Sequence, residues 1–62
     1  MVGYVVIFKG IDHEDQEIAD ATAYSTVNGF VEFTDENSVV LYRISTDLFG
    51  GCYRMGKARY IP

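Results

Sequence analysis

Asn28-Gly29 stands between two runs of β-forming residues, IADATAYSTV (18–27) and FVEFT (30–34). An Asn-Gly pair in this setting is the strongest short-range signal for a β-hairpin. The type I′ turn it forms needs positive φ at both central residues, which Asn and Gly tolerate. The pair also predicts a register. Val27 falls opposite Phe30, Thr26 opposite Val31, and Tyr24 opposite Phe33. Tyr24, Val31 and Phe33 are then expected in the core, with Ala23, Ser25 and Glu32 on the other face, because side chains alternate along a strand.

The rest of the chain follows the same pattern. VGYVVIFK (2–9) is rich in β-branched and aromatic residues and ends at Gly10. IDHEDQE (11–17) reads as an acidic connector. DEN (35–37) is a second turn and SVVLYRIS (38–45) its return strand. TDLFGG (46–51) reads as a turn anchored by Leu48 and Phe49, CYRM (52–55) as a short fifth strand, and GKARYIP as a tail. Residues 14–23 carry some helix propensity behind a possible Asp12 cap. However, Ile18 is the only large apolar side chain between Asp12 and Ala23, which makes no helical stripe, so β is preferred. The expected fold is a small all-β antiparallel meander of four to five strands, strongly twisted or closed like an SH3-like barrel. One domain spans residues 1–62.

FTDENSVVLY (33–42) and YRMGKARYI (53–61) faintly resemble the two halves of the signature of Sm-type small barrels. The chain is short for that fold and lacks its N-terminal helix and key glycines. It is not assigned to the family, and no residue role is carried over.

Size sets the next constraint. A domain of about 60 residues buries only roughly 60% of its unfolded surface, and its core supplies little net stability. With one Cys (Cys52) and one His (His13), neither an intrachain disulfide nor an ordinary structural zinc site is available. Self-association is the staple that remains. Val39, Val40, Leu41, Tyr42 and Ile44 put apolar groups on both faces of one strand, and such a strand is normally covered on both faces. A homodimer or larger ring is therefore expected, with Val39, Leu41 and Arg43 at the subunit interface. No apolar run is long enough to span a bilayer, and no signal peptide is recognised. The lone Cys fits a reducing compartment, so a cytoplasmic location is expected.

Charge narrows the partners. The chain has nine acids and five bases, a net charge of −4. Eight of the nine acids precede residue 37, while Arg43, Arg54, Lys57 and Arg59 follow it. An acidic chain is not expected to bind nucleic acid directly. YRMGKARY (53–60) nevertheless gathers three of the five cations. Arg forks suit carboxylate or phosphate, and Tyr adds a stacking face. Tyr53, Arg54, Lys57, Arg59 and Tyr60 therefore form a candidate partner- or anion-binding edge, with Gly50, Gly51 and Gly56 allowing close backbone approach. Alternation places Arg54 on the opposite face from Tyr53, so one continuous site there requires a bulge at Gly56 or a second subunit.

The pattern does not point to catalysis. His13 lies among Asp12, Glu14 and Asp15, but neighbours on an extended segment point in different directions, which makes a poor ligand set. Cys52 next to Arg54 is expected to be a small buried side chain rather than a nucleophile. Ser25, Ser38 and Ser45 lack a strand-to-helix elbow. No enzyme activity, cofactor or metal is expected. The leading expectation is a non-enzymatic acidic binding or inhibitory module that acts through protein–protein contacts as a homo-oligomer. The alternative is a protein that sequesters an anionic metabolite or nucleotide at a subunit interface.

Overall fold

In a computed structural model the chain is all-β. The structure describes residues 3–10 and 13–55. Six strands are present: β1 (Gly3–Phe8), β2 (Gln16–Ala19), β3 (Ala23–Val27), β4 (Phe30–Thr34), β5 (Val40–Ser45) and β6 (Phe49–Arg54). They form two three-stranded antiparallel sheets, ordered β2-β1-β6 and β3-β4-β5.

The Asn28-Gly29 hairpin forms with the expected register, Val27 opposite Phe30 and Tyr24 opposite Phe33. Both turn residues have positive φ, 48° and 83°. Thr46 N–H then donates to Gly29 O at 3.0 Å and ties the end of β5 to the hairpin tip.

Six strands replace the expected four to five because the run 18–27 is broken. Asp20 adopts φ 70°, a left-handed conformation that short polar side chains tolerate. The chain turns there and leaves one sheet for the other, with Thr22 N–H donating to Thr34 O at 2.8 Å. Residues 14–23 contain no helix. Gln16 and Glu17, read as part of a connector, begin β2 and pair with Val6 and Val5. Ile18 alone could not drive a helix, but on β2 it lies opposite Tyr4 and is buried. On the other side of the domain the turn is shorter than expected, covering only residues 46–48. β6 begins at Phe49, and a bulge shifts its pairing with β1 from Ile7↔Gly51 to Phe8↔Phe49. Gly50 is the extra residue, and a Cβ there would sit 3.0 Å from Ile7 O and 3.1 Å from Lys9 N.

The two sheets face each other across one core. Tyr4, Val6 and Ile18 come from the first sheet, and Val31, Phe33 and Ile44 from the second, with Ala21 at the corner between them. Phe33 is fully buried at 0% exposure and sits within ring distance of Tyr4 (5.7 Å), Tyr42 (6.3 Å) and Phe49 (6.4 Å). Tyr24 was expected in this core and is not buried, being 49% exposed. Its ring does stack on Phe33 at 5.5 Å and meets Tyr4 edge-on at 5.4 Å. It stays half open because β3 is an edge strand, with no further strand to cover its outer side. The molecule measures 31 × 30 × 17 Å, a thin disc whose short dimension fits two sheets about 10 Å apart plus their outer side chains.

Candidate functional site

Beneath β5, Asp35 organises the approach to the strand. Its Oδ1 accepts from Asn37 N–H at 2.8 Å and from Val39 N–H at 3.0 Å. Asp35 N–H donates to Val39 O at 3.1 Å, and Ser38 N–H to Asp35 O at 3.0 Å. This turn holds Val39 outward, 53% exposed. The β4–β5 pairing then passes from Thr34↔Val40 to Phe33↔Tyr42, leaving Leu41 as the unpaired residue of a bulge. Val40 and Leu41 are 47% and 39% exposed. Tyr42 and Ile44 lie on the core side of β5, opposite Phe33 and Val31. The apolar residues that precede them are therefore left without a cover.

Register assigns the outer face of this sheet. Phe30, Glu32 and Thr34 on β4 share it with Val27 and Ser25 on β3, and with Arg43 and Val40 on β5. The Arg43 guanidinium lies 4.3 Å from the centre of the Phe30 ring, and its Nε contacts Glu32 Oε2 at 3.1 Å. Val27 and Phe30 are both exposed. The outer face thus combines an apolar set with one acid and one base held side by side.

Of the expected interface residues, Arg43 lies on this outer face, Leu41 is the bulge residue of β5 and Val39 immediately precedes the strand; all three are exposed. To that face it adds Val40, read from the sequence as part of the two-faced strand, and Val27 and Phe30, which the sequence reading did not single out. The signal for Val27 and Phe30 was in the hairpin register. Once Val31 and Phe33 point inward, Phe30 and its partner Val27 must point outward.

The expected anion-binding edge is only partly described. Tyr53 pairs with Val5 and is exposed, whereas Arg54 pairs with Tyr4 and places its guanidinium 5.9 Å from that ring. The two side chains lie on opposite faces of the first sheet, as strand alternation requires. Lys57, Arg59 and Tyr60 lie outside the described residues, as does Gly56.

Two further groups bear on chemistry. His13 Nδ1 donates to the carbonyl of its neighbour Glu14 at 2.7 Å, and the ring packs 4.1 Å from Phe8. Among the described residues, no group of three or more His, Cys, Asp or Glu side chains is arranged to hold a metal ion. Cys52 lies opposite Val6 and packs against the core. Burial pushes its thiol above the ordinary range, and the neighbouring Tyr24 hydroxyl opposes this only in part. Tyr24 is itself raised, chiefly by the neighbouring Cys52. A thiol held in its neutral form is a weaker nucleophile. Elsewhere, Asp20, Thr22, Asp35, Glu36 and Asn37 line a cleft of about 290 Å³ between the β2–β3 and β4–β5 turns. No helix among the described residues is long and apolar enough to cross a membrane.

No protein-family model, curated protein or solved structure matches this chain.

Proposed function

We propose that this protein is a non-enzymatic binding module that works by protein–protein contact and associates with itself through the sheet built from β3, β4 and β5. The observation that carries this proposal is the uncovered apolar set Val39, Val40 and Leu41 at one end of the sheet, with Val27 and Phe30 exposed at the other end of its outer face. Three consecutive exposed apolar residues on so small a domain are the kind of surface that marks an interaction site. The local chemistry supports a contact role. His13 is committed to its neighbour's carbonyl and Cys52 is held as a thiol. A reducing compartment such as the cytoplasm suits that free cysteine. Light scattering at micromolar concentration should report a dimer or larger assembly. Replacing Val40 with Lys should return it to monomer mass with its β-sheet circular dichroism intact. A wild-type protein that stays monomeric up to millimolar concentration overturns the proposal.

A further inference from the structure

We infer that the outer face of the β3-β4-β5 sheet is the seat of a two-fold dimer in which Glu32 of each copy meets Arg43 of the other. The inference rests on the self-association proposed above and specifies its geometry. Two observations select a second copy as the occupant. First, the face carries one acid and one base side by side, with Arg43 Nε 3.1 Å from Glu32 Oε2. A patch holding a plus and an adjacent minus is complementary to itself under a two-fold axis, because the rotation sets each charge against its opposite. Second, the chain as a whole carries −4, so two copies repel over most of their surfaces. On this face, however, the charges assigned by register are Glu32 and Arg43 alone, and they cancel. Strand addition at the edge of β5 is the competing geometry. The bulge at Leu41 and the charge of Arg43 are both features that blunt an edge against further pairing. In the face-to-face dimer Val27, Phe30 and Val40 supply the apolar contact, and the charge pair sets the register.

The test is charge-reversal complementation. Glu32→Arg places two cations on the face and Arg43→Glu places two anions. Each variant alone should dimerise roughly tenfold or more weakly than wild type, because like charges then meet across the axis. Both variants lose the intrachain pair, so only an intermolecular pair allows a mixture to recover. An equimolar mixture, with one variant isotopically labelled, should show mainly the mixed dimer in native mass spectrometry. A dilution series of amide NMR spectra on the wild-type protein needs no substitution. It should move Val27, Phe30, Glu32, Val40 and Arg43 together and leave Ile7 and Tyr53 still. A wild-type dimer whose variants form no mixed species, or whose dilution shifts fall on Ile7 and Tyr53, overturns this inference while self-association stands. A wild-type monomer overturns both.

Discussion

Phe33 shows what one side chain contributes to a domain this small. It is fully buried, and the rings of Tyr4, Tyr24, Tyr42 and Phe49 surround it from both sheets. Phe33→Ala removes that contact and leaves a cavity, at a cost of about 3–5 kcal/mol. Net stability at this size is itself only ~3–5 kcal/mol, so the variant should lack a cooperative urea transition at 25 °C. Cys52 makes a pH prediction at the same scale. Burial raises its thiol above the ordinary value of 9.0 in the folded chain. As pH rises, the unfolded chain therefore loses this proton first. The stability contributed by the buried thiol is complete below pH 9.0 and falls as pH climbs from there towards the folded value. Tyr24 is shifted in the same direction, with less weight because its ring is half exposed. The urea midpoint should therefore drop in alkaline buffer, and Cys52→Ala should drop less steeply across the same range. Parallel pH profiles for the two proteins would refute this role for Cys52.

At the scale of elements, the hairpin and the corner obey different controls. The β3–β4 turn is local. Asn28 and Gly29 both sit at positive φ, and a Cβ on Gly29 would meet nothing within 4 Å. Gly29→Ala therefore pays no steric cost and only the left-handed penalty of about 1–2 kcal/mol. Thermal denaturation should show that loss, with the sheet spectrum otherwise preserved. An unchanged midpoint would mean the turn adopts another type. This hairpin was legible in the sequence because one dipeptide and two alternating runs specify it fully. The corner at Asp20–Thr22 was not. Asp20 is only a weak break in IADATAYSTV, and the left-handed turn there is stabilised only when Ala21 is buried between the sheets. β6 was hidden for a similar reason. Phe49-Gly50-Gly51 looks like a turn until Gly50 is seen packed against the backbone of β1.

At the scale of the whole molecule, association should rest mainly on apolar burial. Exposed ion pairs contribute only ~0–1 kcal/mol each, so the Glu32–Arg43 contacts are expected to orient the dimer more than hold it. Raising salt should shift the dimer–monomer balance seen by light scattering only slightly. Complete dissociation at high salt would instead assign the association to the acidic and basic halves of the chain. Val39, Leu41 and Arg43 could be picked out beforehand as interface candidates because an apolar strand with no second cover in so short a chain is visible in its composition. By itself the sequence determined the β class, the hairpin with its register, and the excess of apolar side chains over what one small core can hide. Each of these depends on near neighbours or on simple counts. The tertiary structure alone decided that the run 18–27 divides between two sheets, that Tyr24 stays half open, and that Val27, Phe30 and Val40 share one outer face with Glu32 and Arg43. Those outcomes depend on which strands lie at the edges and which backbones touch, and contacts between residues far apart in the chain settle both.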